Sequence, residues 1–362
     1  MSPFQHGEVF VTDDGAETDL DLGHYERFVD EALTRYSSNS AGQIYESVIE
    51  NERQGVYLGK TVQVIPHITN EIKGRIQRLA DDYDIVITEI GGTVGDIESL
   101  PFLEAVRQLR LDLGYYNTLY ILLTYVPFVK SAGELKTKPS QHSAYKLREI
   151  GIQPDVLLCR SERPFAEDIY NKIALFTNVP RENVINAIDV DCVYEIPLNF
   201  QKAGLPEIIR QHFQLEQRQI VMQDWLQFLQ NTKNARETVT IAVCGKYIRH
   251  QDAYKSIGEA LLHASSALLK KVEIVWIDSE RNFQEEDIAR ELRGVQGILV
   301  PGGFGVRGIE GKIAIAKYAR ENNIPYLGIC LGMHTAVIEC ARNLCHLPRA
   351  NSTEFEELTP AP

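Results

Sequence analysis

Short apolar runs alternate with longer amphipathic stretches along almost the whole chain. The runs that we predict as strands are residues 84–90, 119–125, 155–159, 239–244, 272–277, 297–300 and 326–330. Apolar residues recur with a helical period in residues 100–112, 166–176, 253–269 and 312–322. Buried strands that alternate with helices predict an α/β fold, with mainly parallel sheets covered by helices.

A polar segment separates two such blocks. The helical stretch 206–229 is followed by the polar residues 231–237, and a new strand is predicted after them. We therefore expect a first domain over residues 1–230, a linker over 231–237 and a second domain over 238–362.

Charge and composition restrict the classes of function. The formal net charge is −13 over 362 residues, which argues against general binding to nucleic-acid backbones but allows a local basic pocket for nucleotides. No apolar run is long enough to span a membrane, and the first residues lack the features of a secretory signal. The six cysteines do not form a disulfide or zinc pattern, so we expect a cytoplasmic protein without nucleic-acid or membrane partners.

Cys330 carries the strongest chemical signal. Glycine stands two residues before and two residues after it, between a predicted strand and a predicted helix. Small residues at these positions allow the sharp strand-to-helix turn that presents a nucleophile, so Gly328, Cys330 and Gly332 predict a nucleophile elbow. The alternative interpretation is a buried cysteine at the end of a core strand.

Gly303 is the candidate oxyanion donor. It follows the predicted strand 297–300, where paired glycines can turn backbone N–H groups toward developing negative charge. A plain glycine-rich turn is the alternative. No histidine is a convincing base for Cys330, because His334 follows it too closely on the same helix and His346 falls in a predicted loop.

Two segments of the first domain are candidates for binding phosphate and metal. Glu89 ends a predicted strand just before a glycine pair, where a carboxylate suits Mg²⁺, and Asp19 or Asp21 could supply a second carboxylate. Lys136 and Lys138 follow another strand and could hold a triphosphate. An acidic turn and a solvated loop are the respective alternatives.

Seven segments together resemble the family of glutamine-hydrolysing CTP synthases. They are residues 6–11, 15–28, 62–69, 89–103, 136–141, 301–305 and 328–333. The resemblance implies a P-loop-type amidoligase domain without its first strand, followed by a partial class I glutamine amidotransferase domain. It also implies a ligase that aminates UTP to CTP with ATP, Mg²⁺ and ammonia from glutamine, with GTP as an allosteric activator. The family resemblance further implies a homo-oligomer, namely a tetramer.

The resemblance assigns roles to individual residues. Cys330 is implied as the nucleophile, Asp21 and Glu89 as metal ligands, and Asp21 and Val190 as ATP contacts. The implied glutamine and oxyanion residues are Gly303, Leu331, Gly332, Met333, His334 and Glu354. The implied UTP or CTP residues are Asp96, Ile97, Glu98, Lys136, Thr137, Lys138, Pro139, Ser140, Gln141 and Lys172. The segment that lines the ammonia passage contains Pro3, His6 and Val9.

The sequence also departs from the family's pattern. His334 stands where the family usually has glutamine, and Ile188 where it often has lysine. The family's P-loop and the histidine and glutamate of its triad match no segment of this sequence. We therefore expect the chain alone to make no CTP and its first domain to be poorly stable. A fragment of an ordinary CTP synthase, a non-catalytic nucleotide-binding or assembly partner of a full-length enzyme and a stand-alone thiol hydrolase are the competing hypotheses.

Overall fold

The structure is a computed structural model that describes residues 7–248, 250–281, 285–355 and 359. The strands are β1 (Phe10–Val11), β2 (Glu17–Thr18), β3 (Ile121–Tyr125), β4 (Phe128–Val129), β5 (Glu134–Leu135), β6 (Val156–Ser161), β7 (Val184–Ile188), β8 (Glu237–Gly245), β9 (Lys270–Asp278), β10 (Gly297–Val300) and β11 (Tyr326–Gly328).

The α-helices follow the same chain order. They are α1 (Leu20–Val29), α2 (Ala41–Arg53), α3 (Thr69–Gln77), α4 (Leu100–Leu113), α5 (Lys138–Glu149), α6 (Glu167–Thr177), α7 (Ile196–Lys202), α8 (Leu205–His212), α9 (Gln223–Asn234), α10 (Lys255–Leu268), α11 (Glu285–Glu291), α12 (Ile309–Glu321) and α13 (Leu331–Asn343). None of the helices in the described part of the chain is both long enough and apolar enough to cross a membrane.

The chain forms two compact units. One contains Met1–Arg35 together with Met222–Pro362, and the other contains Tyr36–Val221. We call them the cysteine unit and the lysine-loop unit, after Cys330 and the segment that starts at Lys136. Helix α9 continues to Asn234 and β8 starts at Glu237, so the segment predicted as a linker contains a helix end and a strand start. The predicted domain boundaries stay a prediction.

The cysteine unit is built on a four-stranded sheet in the order β11, β10, β8 and β9. Every neighbouring pair is parallel. All four residues of β10 are buried, as expected for a central strand covered on both faces. The buried core includes Ala242, Ile298 and Ile315, so α12 packs against this sheet. The predicted strands and helices of this half are confirmed.

The lysine-loop unit contains a three-stranded parallel sheet in the order β3, β6 and β7. Its core includes Leu122, Leu157 and Ile173. Strand β3 lies at the edge and alternates, with Leu122 buried and Leu123 66% exposed. The predicted α/β fold with parallel sheets is therefore confirmed in both halves of the chain.

Two predicted elements are wrong. Residues 84–90 form no strand, and Ile87 is 87% exposed, because this run has no ladder partner among the described residues. The long helical stretch 206–229 is two helices, α8 and α9. Gln214 follows α8 with a φ of 54°, a left-handed conformation that does not continue a helix.

Candidate functional site

Cys330 stands at the turn between β11 and α13. Its φ of 50° and ψ of −108° are unusual for a residue with a side chain, and the next residue starts the helix. The residue is exposed. This is the geometry of a nucleophile elbow, in which a strained residue presents its side chain at the tip of the turn.

The two flanking glycines are sterically required. A methyl group added at Gly332 would lie 2.1 Å from the carbonyl oxygen of Val300. One added at Gly328 would lie 2.5 Å from the carbonyl carbon of Gly332. Both distances are shorter than a non-bonded contact allows, so the turn packs backbone against backbone at the end of β10.

Hydrogen bonds hold the turn around Cys330 in place. The backbone N–H of Ile329 donates to the carbonyl of Val300 at 3.0 Å. The hydroxyls of Tyr326 and Thr335 donate to the carbonyl of Gly332 at 2.8 and 2.9 Å. Because Tyr326 lies on β11 and Thr335 on α13, these bonds connect the strand and the helix that flank Cys330.

The predicted oxyanion loop lies beside the cysteine. A methyl group built on Gly302 would be 3.6 Å from Cβ of Cys330. One built on Gly303 would be 3.7 Å from Cδ2 of Leu331, the first residue of α13. The structure thus brings residues 302–303 and 330–331 together, as the partnership of Gly303 with Cys330 requires.

Two buried lysines contact the same loop. Nζ of Lys312 donates to the carbonyl of Pro301 at 3.2 Å, and Nζ of Lys246 donates to the carbonyl of Phe304. Lys312 is fully buried and Lys246 is 7% exposed. Burial lowers the pKa of Lys312 from 10.5 to about 8, with a further contribution from the charge of Lys246. Burial also lowers the pKa of Lys246.

These lysines were missed in the sequence. Lys312 follows Ile309 by three residues and precedes Ala316 by four, so it lies on the buried face of α12. The sequence offered one signal for this burial: Lys312 stands at a position where the helical period predicts an apolar residue. Lys246 directly follows β8, at the carboxyl end of a central strand, where ligands of parallel sheets gather.

The residues that the family resemblance assigns to glutamine binding differ in their exposure. The side chain of Leu331 is fully buried, so only its main chain could contact a ligand. Met333 is 51% exposed. His334 Nδ1 lies 3.5 Å from a carboxylate oxygen of Glu354, which places these two predicted residues together near the start of α13.

The predicted nucleotide segment of the lysine-loop unit forms the start of α5. The hydroxyl of Ser140 donates to the carbonyl of Tyr125 at 3.1 Å, which holds the helix start at the carboxyl end of β3. The amide of Gln141 donates to Thr137 Oγ1 at 2.9 Å. Lys138 and Pro139 are exposed in the first turn of the helix.

Lysine side chains surround this helix start. Lys136 pairs with Glu134, and the pKa of Glu134 is lowered by this hydrogen bond first and by the charge of Lys172 as well. Nζ of Lys138 lies 5.8 Å from the ring centroid of Phe176 on α6, the helix that carries Lys172. Lys136, Lys138 and Lys172 therefore lie near the predicted phosphate site, where Glu134 offsets the charge of Lys136.

Acidic residues predicted for metal and nucleotide binding share one cavity. Glu89, Asp96 and Glu98 line a space of about 270 Å³, together with the backbone of Gly91 and Gly92. Ile97, between the last two acids, is 80% exposed. In the described part of the chain, no group of three or more histidine, cysteine or acidic side chains is arranged to hold a metal ion. One or two carboxylates with phosphate oxygens still suit Mg²⁺.

The remaining predicted residues are placed as follows. Asp21 is exposed in the first turn of α1, where its N–H donates to the capping carboxylate of Asp19 at 3.1 Å. Val190 follows β7, the strand that ends at Ile188. Val9 is half-buried just before β1. Pro3 and His6 lie outside the described residues.

The cysteine elbow on a parallel sheet, with a glycine loop beside it, is typical of α/β enzymes that hold a nucleophile between a strand and a helix. Two family profiles match the sequence: "CTP synthase N-terminus" over residues 1–215 and "Glutamine amidotransferase class-I" over residues 250–357. The chain belongs to the CTP synthase family.

Curated relatives agree with this assignment. The CTP synthase of Methanocaldococcus jannaschii is 57% identical over 367 residues, which cover 100% of this chain and 68% of that protein. The CTP synthase of Rubrobacter xylanophilus is 57% identical over 362 residues, with 100% and 66% covered. The chain thus spans about two thirds of the length of these relatives. A solved structure described as "Trypanosoma brucei CTPS - glutaminase domain with bound acivicin" has 43% identity, covers 34% of this chain and 48% of that chain, and has a TM-score of 0.32.

The packing of the elbow predicts a large cost for a single methyl group. Gly332→Ala should lower the free energy of unfolding by about 2–4 kcal/mol, because the backbone at Val300 has no room for it. Gly258→Ala is the matched control, since its added methyl group on α10 meets no atom within 4 Å. It should be neutral or stabilising by up to about 1 kcal/mol. Urea unfolding of both variants measures this, and equal stability would contradict the steric account.

The buried lysine predicts a pH dependence of stability. Between about pH 8 and 10.5, Lys312 is neutral in the folded chain but still protonated in the unfolded chain. Unfolding therefore takes up a proton, and stability rises with pH across this window relative to Lys312→Met. The difference should grow by up to about 3 kcal/mol. Denaturation of both proteins from pH 7.5 to 10.5 measures it, with Lys317→Met on the same helix as control. A difference that does not change with pH would contradict burial of the charge.

Proposed function

We propose that this chain serves the ATP-dependent amination of UTP to CTP, with Cys330 releasing the nitrogen from glutamine. The observation that carries the proposal is the elbow at Cys330, because its φ of 50° and its two crowded glycines serve the presentation of a nucleophile. A buried structural cysteine needs none of these features, and Cys330 is exposed. The relatives named CTP synthase and the two matched profiles support the same reaction.

The chemistry at the cysteine follows from this geometry. The thiolate of Cys330 attacks the side-chain amide carbon of glutamine, and the amide oxygen takes up the negative charge. The backbone N–H of Gly303 is the proposed donor to this oxyanion. Ammonia leaves once its nitrogen is protonated, and a thioester remains. Water then hydrolyses the thioester to glutamate and regenerates the thiol.

The lysine-loop unit is the proposed site of the pyrimidine nucleotide. Lys136, Lys138 and Lys172 supply positive charge, and the first N–H groups of α5 favour a bound phosphate. The side chains of Ser140 and Gln141 form hydrogen bonds that fix the start of the helix. These two residues therefore have a structural role in the proposed site. The acidic segment Asp96–Glu98 is proposed to sense CTP, as the family resemblance implies.

The cavity beside Glu89 fits Mg²⁺ through its oxygen donors. Glu89 would hold the ion in this cavity. The resemblance separately implies Asp21 as a metal ligand. Mg²⁺ would neutralise phosphate charge when it is bound. The other proposals that come from the resemblance are ATP contacts at Asp21 and Val190, ammonia passage along the segment that contains Pro3, His6 and Val9, activation by GTP and assembly into a homo-oligomer. The cytoplasmic location, proposed from the cysteine pattern, is a further proposal.

The lysine-rich helix start generates a binding prediction. Lys138→Ala should weaken binding of CTP about tenfold or more, because a charge-assisted phosphate contact is lost. Lys146→Ala is the control, since Lys146 lies in the last turn of the same helix and pairs with Glu149. Titration calorimetry of the purified chain with CTP measures both. Equal affinities for the two variants would contradict a nucleotide site at the start of α5.

Turnover separates the proposal from its alternative. The purified chain is supplied with UTP, ATP and Mg²⁺, together with glutamine or ammonia, and CTP is measured by chromatography. CTP formed from glutamine and abolished in Cys330→Ser supports the enzymatic role. Binding of CTP without turnover is the outcome expected if the chain alone is inactive, and it is also the outcome expected of a nucleotide-binding or assembly partner. Absence of both binding and turnover contradicts the proposed function.

A further inference from the structure

One loop beside Cys330 is held by two buried cations. The ammonium of Lys312 donates to the carbonyl of Pro301, at the start of the loop 301–304. The ammonium of Lys246 donates to the carbonyl of Phe304, at its end. The two lysines come from α12 and from the end of β8, so the glycine pair between the two carbonyls is held from two separate elements.

Lys246 also approaches the proposed oxyanion donor itself. A methyl group built on Gly303 would lie 3.4 Å from Cε of Lys246 and 3.8 Å from its Nζ. The backbone of Lys246 is fixed in turn, because its N–H donates to the hydroxyl of Tyr254 at 3.1 Å. Tyr254 is 5% exposed and stacks on Trp276 with ring centroids 6.0 Å apart. The cation next to Gly303 therefore has a rigid support.

Two like charges in one core are costly. A buried ammonium loses its hydration, and an apolar side chain of similar volume is often neutral or stabilising in such a place. The charge of Lys246 disfavours the charged form of Lys312 as well. A purely structural explanation therefore accounts poorly for this pair. A role in which negative charge develops nearby accounts for it better.

The titratable groups around Lys312 support a role in which negative charge develops nearby. Lys312 lies within electrostatic reach of Lys246 and of the thiols of Cys244 and Cys330, and negative charge on either thiol would favour its charged form. Cys244 is fully buried on β8 and burial strongly raises its pKa, so it stays a neutral thiol near pH 7. Among these groups, Cys330 is the exposed one that can carry negative charge in the proposed reaction.

The surroundings of Lys246 are different. Arg307 lowers its pKa after burial, and Glu280 raises it. Arg307 and Glu280 themselves form an ion pair at 2.9 Å. Arg307 and Glu280 thus act on Lys246 with opposite signs, while its ammonium itself donates to the carbonyl of Phe304 in the loop beside Gly303.

We propose that Lys312 and Lys246 are positioning residues for the thiol reaction: they fix the loop 301–304 against Cys330 and place positive charge beside the thiolate and the oxyanion. This inference rests on the proposed nucleophilic role of Cys330. It assigns a function to two lysines that otherwise have no part in the mechanism. Neither lysine is required to touch the substrate.

The test compares an anionic and a neutral thiol reagent of the same size. Alkylation of Cys330 by iodoacetate and by iodoacetamide is followed at pH 7 in the full chain, by mass spectrometry of the peptide that contains it. Cys345, which is also exposed, is the internal reference. Lys312→Met and Lys246→Met should each lower the iodoacetate-to-iodoacetamide rate ratio at Cys330 by about threefold or more, because a nearby positive charge attracts the anionic reagent. Lys317→Met on the same helix should leave the ratio unchanged.

Hydrogen exchange tests the positioning itself. Amide exchange in a peptide that covers residues 301–308 should be faster in both variants than in the wild type and in Lys317→Met. An unchanged rate ratio together with unchanged exchange, in variants that remain folded, would overturn the proposal. If Lys312→Met fails to fold, the rate ratio and the hydrogen exchange of Lys246→Met alone decide the test. A wild-type Cys330 that is no more reactive than Cys345 would count against the proposed nucleophile, and loop exchange would then decide the role of the lysines.

Discussion

The candidate thiol site depends on one close approach, between the backbone of Gly332 and the carbonyl of Val300. Backbone contact at this distance brings the first turn of α13 down onto the end of β10. The same turn holds Cys330 at a φ of 50°, with the residue exposed. Since the loop 301–304 leaves β10 at the next residue, one contact sets the positions of both the nucleophile and its proposed oxyanion donor.

Two buried lysines beside this contact are an unusual feature of the site. Exposed lysines are the common case, but Lys312 is fully buried and Lys246 nearly so. Both hydrogen-bond to carbonyls of the loop that contains Gly303. In our proposal, the sheet end, the strained cysteine and the two cations act as one site, because the hydrogen bonds and close contacts join them. Preorganisation of this kind is the main way in which a protein stabilises an oxyanion.

Much of this arrangement could be predicted from the sequence. The spacing of Gly328, Cys330 and Gly332 predicted the turn, since only residues without a side chain allow the backbone contacts that the structure shows. The parallel strands of the cysteine unit were predicted for a similar reason, because continuous apolar runs are typical of strands buried on both faces. Strand β7 was missed because Asn186 interrupts its apolar run. In the fold, this amide is satisfied by Ser161 Oγ at 2.7 Å.

Other features depend on long-range packing that a local pattern does not contain. Residues 84–90 have the composition of a strand, but a strand needs a ladder partner, and none is present among the described residues. Lys312 begins a stretch that was predicted as an amphipathic helix, and its burial depends on tertiary packing that the helical period does not contain. The contact between His334 and Glu354 joins α13 to a segment twenty residues further on, at 3.5 Å.

The central claim is that Cys330 is a nucleophile in a pocket that recognises glutamine. A glutamine analogue with an electrophilic carbon in place of the side-chain amide tests it most directly, with the labelled residue identified by peptide mass spectrometry. The account predicts labelling at Cys330, slowed by added glutamine and absent in Cys330→Ser, while the exposed Cys345 reacts slowly and without protection. Equal labelling of the two cysteines, unaffected by glutamine, would contradict it.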